Sequence, residues 1–271
     1  MDFKRARDVL IVVFLIINIF LAGSLYFSAN EAAAISESEM ENAIYLLSLS
    51  DISFDRATVS KTKSDVCSYI AQDRYEDAEK IAKRFFANNF SSDESGQIFY
   101  NDNLTITFQR DFYINIRGYL SGERKGGISE KDALKIAKSV IKKMSGGNNI
   151  KISVIPDGAF DGYFFKTVSK ISGTLLRGMD VNIWVRDDGY FEAGGVFLYG
   201  ELKIYDDHAY SSPVNAVLAY KNYVSGSDRI EKMELIYRVT QSADGVFVVP
   251  VWEITGQETS VFLDALTYKQ Q

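Results

Sequence analysis

Residues 129–155 read SEKDALKIAKSVIKKMSGGNNIKISVI, and two periodicities meet inside them. Ser129 with Asp132 three positions later is a helix-start signal, and Ala133, Ile136, Ala137, Val140 and Ile141 follow as one apolar stripe at helical spacing. Gly146-Gly147 ends the helix. From Ile150 to Ile155 apolar and polar residues alternate instead, the period of a half-covered strand. A helix that hands over to such a strand has one apolar face to offer, and the strand has one to receive it.

The same succession is legible on both sides. Upstream, Ser36-Glu37-Ser38-Glu39 is a capping box, and Met40, Ala43, Ile44 and Leu47 continue it as a helix of about 13 residues. Asp73 is placed to cap a second helix with Ala78, Ile81, Ala82 and Phe85 as its stripe. Strands are then expected at Gln97–Tyr100, Leu104–Gln109 and Phe112–Tyr119. After the central helix come Tyr163–Ile171, Asp180–Arg186 and Tyr190–Tyr205, with Asp187-Asp188-Gly189 as a hairpin turn that lacks the further oxygen ligands of a calcium loop. Ser211-Ser212-Pro213 opens a last helix through Val217, Ala219, Tyr220 and Tyr223. Strands Ile230–Thr240, Val246–Ile254 and Ser260–Leu266 close the chain, the first two joined by a turn at Asp244-Gly245. One helix followed by antiparallel strands thus recurs from near residues 73, 129 and 212, and the fold class is α+β. Ser121–Gly127, with three glycines, reads as a linker between a first lobe at 28–127 and a second at 128–271.

The 271 residues are 46 % hydrophobic and 24 % charged, a globular composition, but the hydrophobicity is uneven. Val9 to Phe27 contains no charge, and nineteen helical residues rise roughly 28 Å, the thickness of a bilayer core. A cleaved signal peptide has a shorter apolar region, so the length favours an uncleaved transmembrane helix over residues 9–27. Lys4, Arg5 and Arg7 form a basic tip at residues 1–8, whereas the chain beyond residue 30 holds 27 bases against 34 acids. The N-terminus is therefore expected on the cytoplasmic side of the cell membrane and the body outside. Asn18 lies mid-span, on a face continued by Phe14, Leu21, Ala22 and Leu25. Two readings of it stand side by side: an amide that bonds to its own helix, and an amide that contacts a partner helix.

Other chemistry is thin. The net charge of −6 excludes a generic nucleic-acid binder. One cysteine, Cys67, precludes an internal disulfide and reads as a small core residue; one histidine, His208, precludes a histidine-rich metal site. No Gly-x-Ser-x-Gly or phosphate-binding loop accompanies them. Carboxylates alone leave room for a two-carboxylate hydrolase, but the expectation is a non-enzymatic protein with no catalytic residue, cofactor or metal. Tyr163, Phe165, Tyr199 and Tyr205 alternate along strands as ordinary sheet packing does.

Met1-Asp2-Phe3-Lys4-Arg5-Ala6-Arg7 running into Ile11-Val12-Val13-Phe14-Leu15-Ile16-Ile17-Asn18-Ile19-Phe20-Leu21 resembles the start of the YycI family. Val249-Pro250-Val251-Trp252-Glu253-Ile254 and Ser129-Glu130-Lys131-Asp132-Ala133-Leu134 also resemble YycI and the wider group of YycH and PepSY-like domains. Phe3 stands where Trp is common in that family, and the middle of the chain is divergent. The resemblance implies two extracytoplasmic lobes of antiparallel sheet packed with helices, on a single-pass anchor. It implies a regulator of the WalK sensor histidine kinase, acting with a YycH-like partner in control of cell-wall metabolism in Gram-positive bacteria, through contacts between membrane helices. A PepSY-like envelope module that binds a peptide or restrains a peptidase is the alternative expectation.

Overall fold

The computed structural model describes residues 11, 13–21, 34–71, 75–87, 89–120, 127–145, 150–159, 161–206, 209–242 and 245–271. Positions 11 and 13–21 are helical (α1). In α2 (Glu37–Ser48) both halves of the capping box form: Glu39 N–H donates to Ser36 Oγ at 3.1 Å, and Ser36 N–H donates to Glu39 Oε2 at 2.9 Å. Short strands β1 (Ile52–Phe54), β2 (Ser64–Val66) and β3 (Tyr69–Ala71) lead to α3 (Tyr75–Phe86), whose expected cap Asp73 lies outside the described residues. Next come β4 (Ser91–Ser92), β5 (Ile98–Tyr100), β6 (Leu104–Phe108) and β7 (Tyr113–Gly118). Helix α4 (Glu130–Met144) starts where Asp132 N–H donates to Ser129 Oγ at 3.2 Å. It is followed by β8 (Ile150–Ala159), β9 (Tyr163–Ile171), β10 (Thr174–Arg177), β11 (Val181–Val185), β12 (Phe191–Val196), β13 (Leu202–Ile204) and β14 (Ala209–Ser211). Helix α5 (Pro213–Tyr220) has Ser212 as its cap and Pro213 in its first turn; β15 (Asp228–Ser242), β16 (Gly245–Gly256) and β17 (Ser260–Asp264) complete the chain.

The architecture is α+β around a large, mostly antiparallel sheet. The short strands β1, β2, β3, β10 and β14 are not among those expected from the sequence, and three further details differ. The stretch from Tyr190 to Tyr205 is two strands, because Phe197, Leu198 and Tyr199 are buried consecutively and cannot keep the pleat's alternation. Strand β8 continues through Pro156, which an edge position tolerates. Strands β1 and β10 both pair in parallel with β15, at Ile52↔Asp228 and Leu176↔Tyr237, so the sheet is not wholly antiparallel.

Compactness divides the chain into residues 1–66, 209–233 and 254–271 on one hand and 67–208 and 234–253 on the other. The division is interleaved and does not fall at residue 127, because β7 and β12, on either side of that point, pair over six residues from Tyr113↔Val196 to Gly118↔Phe191. In the larger unit α4 packs on β8, β9, β11 and α3. Register makes its buried layer a continuous row, Phe165–Ile183–Ala193–Ile116–Ile106–Phe99, each at most 2 % exposed. In the smaller unit α2 packs on α5 and β1 through Met40, Ala43 and Leu47. Cys67 is buried at 2 % exposure, as expected of a core residue.

Among the described residues no helix is long and apolar enough to cross a membrane. The expected span 9–27 lies only partly among them: the described part of α1 reaches residue 21, and Lys4, Arg5, Arg7, Ala22 and Leu25 lie outside the described residues.

The smaller unit is tied together at Asp228, a buried carboxylate. Tyr220 Oη–H at the end of α5 donates to its Oδ2 at 2.6 Å, and the N–H groups of Arg229 and Gln257 donate to Oδ1 at 2.7 and 2.9 Å. Helix α5, the start of β15 and the β16–β17 turn therefore share one acceptor. Gly256 is glycine because a Cβ there would overlap Asp228 Oδ2 and Tyr220 Oη. Burial pushes the Asp228 carboxyl up, but the bonds from Tyr220, Arg229, Gln257 and Glu258 outweigh it and hold the group below the ordinary aspartate value of 3.8. Tyr220 is pushed up by burial and by the same carboxylate. A carboxyl held below its unfolded value contributes stability that is whole above about pH 4 and disappears as pH falls through the folded value. Asp228→Asn is expected to lower unfolding free energy by about 1–3 kcal/mol at pH 7. Urea titrations should also show a shallower loss of stability below pH 4 in that variant than in the wild type.

Candidate functional site

The pleat that buries one row of the larger unit exposes the row beside it. One residue along each strand, register aligns Phe164, Trp184, Glu192, Arg117, Thr105 and Tyr100 across β9, β11, β12, β7, β6 and β5. All six are exposed or half-exposed, and the helices α3 and α4 lie on the other face. Trp184 stacks on Phe164 with ring centroids 6.0 Å apart and planes at 18°. Its Nε1–H has no hydrogen-bond partner among the described residues and faces Gly162, whose φ of +134° and lack of a Cβ admit the indole edge.

At the β11–β12 hairpin the same face carries a linked set of charged and phenolic groups. Gly189, at φ 87°, closes the turn by donating to Arg186 O at 2.9 Å. Asp188 receives Tyr190 N–H at 3.0 Å and Tyr119 Oη–H at 3.1 Å, and pairs with Arg186 at 3.4 Å. Tyr119 and Tyr190 meet edge to face at 5.3 Å, while the Arg186 guanidinium lies 5.5 Å from the centre of the Tyr190 ring. The Tyr190 backbone bond holds the Asp188 carboxyl below its ordinary value against partial burial, with Tyr119 and Arg186 adding to it. Burial and the Glu192 carboxylate push the Tyr190 phenol up. The side chains are thus fixed in place before any partner arrives.

Tryptophan, tyrosine and arginine on a rigid scaffold are the residue types that dominate protein–protein interfaces, since they bury large areas with little loss of freedom. Among the described residues no three His, Cys, Asp or Glu side chains converge to hold a metal ion.

Of the residues singled out from sequence, Phe14, Asn18 and Leu21 are on α1, and all three are exposed. Asn18 Nδ2 donates to Phe14 O at 2.8 Å, the bond to its own helix that one of its two readings called for. Phe165 and Tyr199 are core residues, whereas Tyr205 is 59 % exposed. Trp184, Arg117 and Tyr190 were not singled out. The signal was present in Asn182-Ile183-Trp184-Val185-Arg186, where the polar ends place Trp184 on the outward face.

No family model matches the chain, and no curated protein does. A crystal structure of an uncharacterized protein from Eubacterium rectale ATCC 33656 aligns over 86 % of this chain and 98 % of its own, at 12 % identity and a TM-score of 0.43. That degree of likeness supports no statement about function.

The two faces should respond differently to substitution. Ile183→Ala in the buried row is expected to cost about 2–5 kcal/mol of stability. Trp184→Phe, which keeps an aromatic stack and deletes the unpaired N–H, should leave stability unchanged or raise it by up to about 1 kcal/mol. Denaturant midpoints of the two variants against the wild type decide the point, and a Trp184→Phe loss as large as that of Ile183→Ala would make the open row structural.

Proposed function

We propose that this chain is a membrane-anchored regulatory protein that modulates the WalK sensor histidine kinase together with a YycH-like partner, in control of cell-wall metabolism. In this reading residues 9–27 cross the cell membrane once, the tip with Lys4, Arg5 and Arg7 is cytoplasmic, and the α+β body is extracytoplasmic, of the YycH and PepSY-like kind.

The observation that carries the reading is the N-terminal segment. It resembles the opening of the YycI family, with Phe3 in place of the common Trp, and its described helix is clothed in exposed apolar side chains: Phe14 is 68 % exposed, Ile19 64 % and Phe20 75 %. Leaving each such side chain in water forgoes about 1.5–3 kcal/mol, which a bilayer supplies. Asn18 satisfies one amide N–H within its helix, so its Oδ1 remains to accept from a neighbouring helix. An interhelical bond of that kind contributes about 0.6–2 kcal/mol. The regulation itself is a shift between kinase states, and only contacts that differ between those states produce it. The outer aromatic and arginine face suits a protein partner, with Trp184 and Arg117 at its middle.

Replacing Asn18 with Leu in the native host is expected to reduce the regulator's influence on WalK-dependent transcription while leaving its abundance and membrane fraction unchanged. Output equal to wild type would remove Asn18 from the mechanism. A C-terminal reporter active only outside the cell tests the topology separately, and an inactive one would sink the extracytoplasmic assignment. Affinity capture from membranes should recover WalK and the YycH-like protein; recovery of an envelope peptidase in place of both would favour the peptide-binding module.

A further inference from the structure

Strand β8 pairs with β9 along its whole length, from Ile150↔Ile171 to Ala159↔Tyr163, with one irregularity between Pro156 and Gly158. Among the described residues no strand lies on its other side. A ten-residue edge is long for an unprotected one, and its open row of backbone donors and acceptors is a template for a further strand. Pro156 and the irregularity after it discourage indiscriminate pairing but leave most of the edge usable.

The side chains along this edge are incomplete on both faces. Ile150, Ile152 and Val154 lie on the face that α4 covers, yet Ile152 and Val154 are only half-buried, because the sheet stops at β8. On the open face are Lys151, Ser153, Ile155 at 40 % exposure, and Asp157. Lys151 stands directly opposite Lys170 of β9, a like-charge pair, and among the described residues neither lysine makes an ion pair. Asp157 is held at 2.6 Å by Lys166 at the other end of the strand. The edge is therefore positive at its start and carries a carboxylate near its finish.

We propose that β8 is the pairing edge of a homodimer, in which the β8 strands of two copies run antiparallel about a two-fold axis through Val154. In that register Val154 faces the partner's Val154, and Ile152 faces the partner's Pro156, so the apolar face continues across the axis. Lys151 faces the partner's Asp157, twice by symmetry, where it shares that carboxylate with Lys166. A slip of two residues sets Lys151 against Ile155 or Ala159 and loses both ion pairs. A slip of one residue moves every side chain to the wrong face. The complement that this edge fits is its own sequence.

The test uses the full-length protein in membranes, in a Cys67→Ser background. Val154→Cys is expected to give a disulfide-linked homodimer on mild oxidation, because directly opposed residues of an antiparallel pair lie roughly 4.5–5.5 Å apart at Cα. Lys151→Cys should not cross-link to its own copy, since six residues of offset separate the two by roughly 20 Å. Lys151→Asp should lower the Val154→Cys yield several-fold, and Lys151→Asp with Asp157→Lys should restore it. Equal cross-linking at positions 151 and 154, none at 154, or indifference to charge reversal would overturn the register. A cross-linked product containing a different envelope protein would overturn self-pairing. Should the cysteine variant fail to fold, the mass of the wild-type particle in nanodiscs decides: a dimer that Lys151→Asp converts to monomer supports the proposal, and a monomeric wild type overturns it.

Discussion

A pleated strand sends alternate side chains to opposite faces, and in its larger unit this protein places α3 and α4 on only one of them. That imbalance governs the rest. The covered rows are mostly aliphatic and aromatic, as in Phe165–Ile183–Ala193–Ile116–Ile106–Phe99, with Thr167 and Ser169 of β9 as hydrogen-bonded polar members, and they hold the sheet together. The neighbouring row is released from that duty and carries Trp184, Glu192, Arg117 and Tyr100 instead. An antiparallel meander tolerates an open face because its backbone bonds are internal to the sheet, so the face can specialise in recognition without weakening the fold. The sheet's limit in the other direction, at β8, has the same origin: helices cover Ile150 fully and Ile152 and Val154 only in part, since no further strand extends the layer.

The smaller unit solves a different problem. Its pieces come from three distant parts of the chain, and its strands β1 and β17 attach to the ends of the long strands β15 and β16. Few backbone bonds are available to so short a set, and Asp228 compensates by collecting donors from α5, from β15 and from the β16–β17 turn. A buried carboxylate with fewer donors would be a liability. With these it is a fixed point, and the bare Cα of Gly256 is the clearance it requires.

What the sequence disclosed was local in origin. The Ser36 and Ser129 caps, Pro213 at the head of α5, and the Asp187-Asp188-Gly189 hairpin each depend on atoms within four residues of one another. The period-two runs placed most of the strands for the same reason. What was hidden depends on distant partners. Strand β10 is four residues long; its hairpin with β9 is local, but its parallel pairing with β15, some sixty residues away, is not. The interleaved units cannot be marked by a linker, since a glycine-rich stretch such as 121–127 is a local sequence signal and β7 pairs with β12 on either side of it. Asp228 looked like any turn-adjacent aspartate, because its burial is set by Tyr220 and Gln257. Of the site, Asn18 was legible from its isolation in an apolar run, and the outward direction of Trp184 from the polar ends of Asn182–Arg186; the row it forms across six strands was not, because register is set by distant strand partners.

These features bear on one another through energy scale. A single interhelical hydrogen bond from Asn18, at about 0.6–2 kcal/mol, shifts an equilibrium by roughly three- to thirtyfold, too little to hold two helices together at low membrane density. A second contact outside the bilayer changes that arithmetic, because one pairing event turns the other into an intramolecular step at high effective concentration. The proposed strand pairing at β8, or the proposed partner binding on the Trp184 face, would supply such a contact without adding anything to the proposed membrane helix. Under the proposed regulatory role a weak polar residue in the span would then be an advantage, since a contact this small is strong enough to bias a tethered assembly and weak enough to be reversed by a conformational change of the proposed partner kinase.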